Sequence, residues 1–177
     1  HQDFSKCSSE NMRGVMGILK DSERATWIGT MSKGLWKIKD GKVDNYVDKE
    51  VSYRNSVNCI TESPDGTVWV GTAGGLGKYD KKKGSFVWYG PEDGLTGYSV
   101  FNISFDEKGN VWIGTGAGLN FFDGKKFKPY KTEQGLLTNS VNSTYYSKKL
   151  KTLFVGNEFG GNTVTNGKVR KLRIKGF

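Results

Sequence analysis

The sequence is poor in the residues that most often carry enzymatic chemistry. It has one histidine, His1, and two cysteines, Cys7 and Cys59. A catalytic group of the Ser/His/Asp or Cys/His type needs a histidine held beside a nucleophile, so neither type is expected. The cysteines lack metal-site spacing and are too few for a disulfide scaffold, so we expect free or buried thiols. The sequence therefore predicts no catalytic residue, no metal site, no cofactor and no enzymatic activity.

Long apolar runs and helical periodicity are also missing. No stretch of 18 apolar residues occurs, so no membrane segment is predicted. Apolar residues do not recur at the spacing of an amphipathic helix, and there are 25 glycines against 3 prolines. Aromatic and β-branched stretches alternate instead with turn residues at short intervals, which predicts an all-β chain.

A tetrapeptide recurs along the whole chain. It begins at Trp27, Trp69 and Trp112 and, in altered form, at Phe154, so that the repeats are 42, 43 and 42 residues apart. Each repeat has room for four short antiparallel strands, the size of one propeller blade. The predicted fold class is all-β, with four β-propeller-type blades of four strands each in a single domain over residues 1–177. The predicted blades span 12–48, 54–90, 97–131 and 138–177, and residues 1–6 form a spare outer strand.

The repeated tryptophans are best explained as architectural. Their period is the blade period, and the glycine two positions later lets neighbouring backbones approach closely. Trp36 and Trp88 do not recur in every repeat. They are therefore the better candidates for exposed aromatic side chains.

The pattern from Asp106 to Tyr130, Asp-x-x-Gly-x-x-Trp-Ile-Gly-Thr-x-x-Gly-Leu-x-x-Phe-Asp-Gly-x-x-Phe-x-x-Tyr, resembles the two-component regulator propeller repeat. The linkers at Asp93-Gly94-Leu95 and Gln134-Gly135-Leu136 are similar to the blade connection of that family. The resemblance implies a sensor region of a hybrid two-component system, located in the periplasm or secreted. The fourth repeat departs from the pattern, with Phe154 and Asn157 in place of Trp and Thr.

Binding residues are expected in loops at one end of the blades. In a propeller, the blade connections and the turns between second and third strands emerge on one face, and loops on a rigid scaffold often carry binding groups. These loops contain residues suited to a sugar or its carboxylate, because they offer hydrogen-bond donors and aromatic surface. The predicted ligand-binding residues are Lys33, Arg54, Asn55, Tyr98, Gln134 and Phe159.

The formal net charge of +9 is concentrated near the end of the sequence. A polyanion-binding surface would explain this excess. The alternation from Lys168 to Lys175 also fits an edge strand protected by charge against pairing with neighbours, and we favour this explanation for that segment. The basic balance makes an acidic oligosaccharide the expected ligand.

The predicted function is thus a non-catalytic module that senses or binds a ligand, with an oligosaccharide as possible partner. The alternative is a structural propeller that recognises protein, either by self-association or by pairing with another chain, which includes the rest of a longer sensor chain. A propeller lyase or hydrolase is disfavoured by the lack of histidine. No nucleic-acid partner is expected.

Overall fold

The computed structural model describes residues 14–173, which divide between two compact units with the boundary between Tyr89 and Gly90. The predicted outer strand at 1–6 lies outside the described residues. The strands of the first unit are β1 Val15–Lys20, β2 Thr26–Thr30, β3 Leu35–Lys39, β4 Lys42–Tyr46, β5 Val57–Glu62, β6 Val68–Thr72, β7 Gly75–Asp80 and β8 Ser85–Tyr89. Those of the second are β9 Val100–Phe105, β10 Val111–Thr115, β11 Gly118–Phe122, β12 Phe127–Tyr130, β13 Ser143–Ser147, β14 Thr152–Asn157, β15 Gly160–Thr165 and β16 Lys168–Lys171.

Each sheet is a four-stranded antiparallel meander, the construction of one propeller blade. The strand orders are β1-β2-β3-β4, β5-β6-β7-β8, β9-β10-β11-β12 and β13-β14-β15-β16. The four sheets confirm the predicted fold class. Three short 3-10 helices, Ser52–Asn55, Pro91–Asp93 and Thr132–Gln134, lie in the connections between sheets. The single domain over 1–177 remains a prediction.

The repeated threonine stabilises the turn between the second and third strands of its sheet through side-chain hydrogen bonds. The Thr30 hydroxyl donates a hydrogen bond to the Gly34 carbonyl (2.8 Å) and accepts one from the Lys33 N–H (2.9 Å). Thr72 and Thr115 make the corresponding pairs of bonds in the second and third sheets. All three threonines are fully buried, so the hydroxyl satisfies turn groups that water cannot reach. This explains why the tetrapeptide ends in threonine.

The repeated glycine allows adjacent sheets within a unit to approach. A Cβ atom at Gly29 would lie 2.5 Å from Val57 Cγ1, and one at Gly114 would lie 2.8 Å from Val141 Cγ1. Both valines are buried and stand at the start of the next repeat. The period of the sequence therefore has a packing cause, because within each unit the second repeat places its first valine against the glycine of the first repeat.

The repeated tryptophans lie in the cores, as predicted. Trp27 is fully buried, and its indole N–H donates to Asp21 Oδ2 at 2.8 Å. Trp112 is also buried, but its indole N–H has no partner among the described residues. The prediction that Trp36 is exposed is wrong, because only 8% of its surface is accessible. Trp36 lies on β3, which pairs with β2 on one side and with β4 on the other.

The final described strand, β16, is an edge strand with exposed basic residues. It pairs on one side only, with β15, and Lys168, Arg170 and Lys171 are exposed. Charged side chains on an unpaired edge disfavour association with another sheet. Over residues 14–173, no helix is long and apolar enough to cross a membrane.

Cys59 is expected to react slowly with thiol reagents in the folded protein. Burial raises the pKa of the Cys59 thiol to about 12, although a hydrogen bond with the backbone of Gly71 opposes the shift. Since the thiolate is the reactive form, its population at pH 8 is about a thousandfold below that of an ordinary thiol. Labelling of the Cys7→Ser variant by a disulfide reagent should therefore be slow until denaturant is added. Rapid labelling of the native variant would contradict this assignment.

Candidate ligand-binding site

A cavity of about 400 Å³ lies between the two sheets of the first unit. Its apolar wall includes Leu35, Tyr46, Val57 and Val70, and the connection at 47–56 forms its polar side. The outer strand β8 completes the lining. The volume is within the range of small-molecule sites, about 300–1,000 Å³.

The cavity exists because the first connection lacks a leucine that both later connections have. Leu95 and Leu136 are buried, and each lies six positions after the last residue of the preceding outer strand. The same count from Tyr46 gives Ser52, which is exposed. The first connection therefore has no leucine at the position where the two later connections have one.

The second unit shows what normally fills this space. Leu136 belongs to a buried cluster with Leu119, Tyr130, Val141 and Val155. In the repeat alignment these four residues correspond to the apolar wall of the first-unit cavity. The cavity thus occupies the position of Leu136, where an apolar group is well accommodated.

A second difference places Trp88 at the cavity. Asn120 and Asn162 are fully buried, and each bonds to the connection that precedes its own sheet. The equivalent residue of the second sheet is Gly77, which pairs directly with Trp88. A Cβ at Gly77 would lie 2.9 Å from the Trp88 ring, so the absence of a side chain there lets the indole lie against the sheet.

Asp48 and Arg54 form the charged centre of the polar side. Arg54 Nη1 lies 2.9 Å from Asp48 Oδ2, and its guanidinium lies 4.9 Å from the centre of the Trp88 ring. Arg54 Nε is buried and has no partner among the described residues. An arginine that already pairs with a carboxylate and stacks on an indole is held in place for further hydrogen bonding.

Backbone groups hold the Asp48 carboxylate in its ionised form. Desolvation raises the pKa of Asp48, but the N–H of Val51, the Arg54 guanidinium and the N–H of Glu50 outweigh it, so the pKa lies below its usual value. The N–H groups of Glu50 and Val51 donate to Asp48 Oδ1 at 2.9 and 2.8 Å. These bonds fold the connection into a tight loop.

Asn55 holds the two ends of that loop together. Its Oδ1 accepts the Asp48 N–H and its Nδ2 donates to the Asp48 carbonyl, both at 2.8 Å. The Asn55 carbonyl accepts the Gly34 N–H at 3.0 Å, which joins the loop to the turn that contains Lys33. The Asn55 side chain is therefore committed to the loop, although it lines the cavity.

The structure brings together only some of the predicted binding residues. Arg54 and Asn55 line the cavity, while Lys33 lies in the adjoining turn and does not. Tyr98, Gln134 and Phe159 belong to the second unit. The Tyr98 hydroxyl donates to Glu92, Gln134 Oε1 accepts the Lys131 N–H, and Phe159 is 71% exposed.

Sequence reasoning did not identify Asp48 or Trp88 as members of the site. A usable signal was present, because the Gly-Leu step at Gly94-Leu95 and Gly135-Leu136 is replaced by Val51-Ser52 in the first connection. Where a core residue of the repeat is replaced by a smaller or polar one, either another side chain fills its space or a cavity remains. Among residues 14–173, no group of three or more His, Cys, Asp or Glu side chains could hold a metal ion.

Known proteins share the fold of this chain, and two of its segments match a known repeat. The extracellular domain of the hybrid two-component system BT3049 of B. thetaiotaomicron superposes with a TM-score of 0.78 at 22% identity, over 92% of this chain and 25% of that one. The corresponding domain of BT4673 gives 0.77 at 19% identity, over 90% and 25%. This chain thus has the propeller-type fold of such sensor domains and spans about a quarter of their length.

Within that class, the sequence model described as two component regulator propeller matches residues 54–74 and 94–117. Two segments of the chain therefore match the repeat that the sequence resembles. The fold is shared with an enzyme, virginiamycin B lyase from Staphylococcus aureus, at 20% identity and a TM-score of 0.68, over 92% of this chain and 56% of that one. A search of curated proteins gave no match.

Proposed function

We propose that the chain is a non-catalytic, ligand-binding module of an exported sensor, and that the first-unit cavity is its ligand site. The observation that carries the proposal is the cavity itself, which occupies a position that the second unit fills with leucine. It combines an indole with a preorganised Asp48–Arg54 pair, the mixture of apolar surface and few polar groups that is typical of ligand sites.

The proposed ligand is an oligosaccharide. Sugars present apolar C–H faces and hydroxyl groups, which match the indole of Trp88 and the carboxylate and guanidinium beside it. Charges in the lining are balanced, with Asp48 and Glu50 against Lys49 and Arg54. The basic composition of the chain favours acidic sugars, but the cavity lining has no excess of positive charge. A preference for acidic sugars would therefore come from another surface of the chain.

Binding without catalysis is supported by the state of Asp48, one of the two acidic residues that line the cavity. A general acid needs a carboxyl group whose pKa is raised towards neutrality. The pKa of Asp48 is lowered, and its oxygens accept bonds from the loop and from Arg54. Asp48 is therefore suited to hold Arg54 and the loop rather than to transfer a proton.

The Trp88→Ala variant tests the site. We expect it to weaken oligosaccharide binding by about tenfold or more, the effect of removing a central aromatic contact. Titration calorimetry with a panel of neutral and uronate-containing hexasaccharides would measure the loss. Val87→Ala is the matched control, because Val87 is the preceding residue of β8 and projects from the other face of the sheet. Equal binding by wild type and Trp88→Ala, or no binding of any hexasaccharide by wild type, would refute the proposal.

A further inference from the structure

The turns of the second unit gather lysines at one end of its sheets. In a meander, the turn after the first strand and the turn after the third lie at the same end. The Tyr146 hydroxyl donates to Glu107, and the Ser104 and Thr144 hydroxyls are 2.9 Å apart, so the turn ends of the two sheets are adjacent. The exposed lysines in these turns are Lys108, Lys125, Lys126, Lys148, Lys149 and Lys151.

None of these lysines forms an ion pair within 4.0 Å in the described part of the chain, although Lys108 and Lys151 lie close enough to Glu107 to contribute, after the Tyr146 hydroxyl, to the lowering of its pKa. All five ion pairs found among residues 14–173 are in the first unit. Two further exposed lysines, Lys128 on β12 and Lys168 at the start of β16, also have no ion pair there. We call these eight lysines the basic turn surface. Eight lysines against the three carboxylates of these turns, Asp106, Glu107 and Asp123, leave an excess of positive charge that attracts anions.

The corresponding end of the first unit is neutralised. Glu23, in the turn between β1 and β2, accepts ion pairs from Lys39 at 3.1 Å and Lys81 at 2.6 Å. Counted from the repeated tryptophan, the residue equivalent to Glu23 is Lys108. The second unit thus has a lysine at the position where the first unit has the glutamate that pairs with two lysines. This difference makes the turn end of the second unit more positively charged than that of the first.

The acidic residues at the basic turn surface are occupied by their own turns. Asp106 Oδ1 accepts the N–H groups of Lys108 and Asn110, and Asp123 Oδ1 accepts those of Lys125 and Lys126. Glu107 accepts the Tyr146 hydroxyl. These bonds hold the two aspartates against the backbone and Glu107 against Tyr146, while the lysines of the turns are exposed.

We infer that the basic turn surface binds an acidic polysaccharide. A lysine ammonium is a flexible point charge, which suits carboxylates or sulfates repeated along a polymer rather than one planar anion held by two parallel bonds. Polysaccharide is favoured over nucleic acid because the fold is that of extracellular sensor domains. This surface is separate from the proposed ligand cavity. Its binding would give the module a preference for acidic polymers that the cavity alone does not provide.

The test is binding of polygalacturonate to the full chain, by interferometry at several salt concentrations. We expect Lys148→Glu/Lys149→Glu to weaken binding about tenfold or more at low salt and to reduce its salt dependence, because fewer counterions are released. Lys82→Glu/Lys83→Glu is the matched control, since it makes the same change of charge in an exposed turn of the first unit. The control should stay within about twofold of wild type.

Two outcomes would overturn the inference. Equal losses in both double variants would show that only net charge matters, and equally tight binding of DNA of similar charge would show no preference for polysaccharide. Circular dichroism would verify that both variants are folded. Failure of the cavity proposal is distinguishable, because Trp88→Ala should weaken hexasaccharide binding while it leaves the salt-dependent binding of polygalacturonate unchanged.

Discussion

Replacing Trp27 with alanine should destabilise the protein by about 3–5 kcal/mol, the usual cost of removing a large buried aromatic side chain. Trp27 is fully buried and stacks on Tyr46 at a ring separation of 5.8 Å. It also meets Tyr79 edge to face at 4.9 Å. Its removal would leave a cavity beside these rings, in the buried cluster of the first unit. Urea denaturation followed by circular dichroism would measure the loss.

Trp27→Phe and Trp112→Phe provide a matched comparison. Both remove the indole N–H from a buried core, but only Trp27 donates a hydrogen bond, to Asp21 Oδ2. Trp27→Phe should therefore cost about 1–2 kcal/mol more than Trp112→Phe, because it leaves a buried carboxylate oxygen without that donor. Equal costs would contradict the role assigned to Asp21.

Gly34→Ala should be comparably damaging, at about 3 kcal/mol or more. Gly34 has φ of +71°, where a Cβ is strained, and its Cβ would overlap the carbonyl oxygen of Tyr46. The oxygen belongs to the backbone of β4, so it cannot move without breaking the pairing of β3 with β4. Thermal unfolding should show a fall in Tm of about 6 °C or more.

Gly84→Ala separates backbone strain from the steric clash. Gly84 has a similar φ of +64°, but a Cβ there would meet nothing within 4 Å. Its cost should therefore be only the strain of the left-handed conformation, about 1 kcal/mol. If the two glycine variants melt at the same temperature, the clash at Gly34 is absent and our account of that turn is wrong.

The repeat predicted the fold because one packing solution recurs at each period. The turn that the Thr30 hydroxyl stabilises and the close packing of Val57 on Gly29 each require a specific residue type. These residue types therefore recur in the sequence. The hairpin turns at Asp40-Gly41 and Asn166-Gly167 likewise have the positive φ values that their residue types favour. Such local requirements can be read without knowledge of tertiary contacts.

The site was less predictable because it depends on what is missing. The cavity follows from Ser52 in place of leucine and from Gly77 in place of asparagine, and neither residue is conspicuous alone. Trp88 becomes part of the lining only because its partner across the strand pair is Gly77. Arg54 was predicted from its position in a loop. Its ion-pair partner Asp48 lies in the same loop, but the spacing of the two residues in the sequence does not predict that their side chains meet.

The most direct test of the ligand site is the nuclear magnetic resonance signal of the Trp88 indole N–H during titration with the hexasaccharide panel. The chain has five tryptophans, and Trp88 is the one that lines the cavity. We expect its signal to shift and saturate with one of the sugars, while the signals of Trp27 and Trp112, buried in the two cores, stay in place. A Trp88 signal that no hexasaccharide moves would contradict the assignment of this cavity as the ligand site.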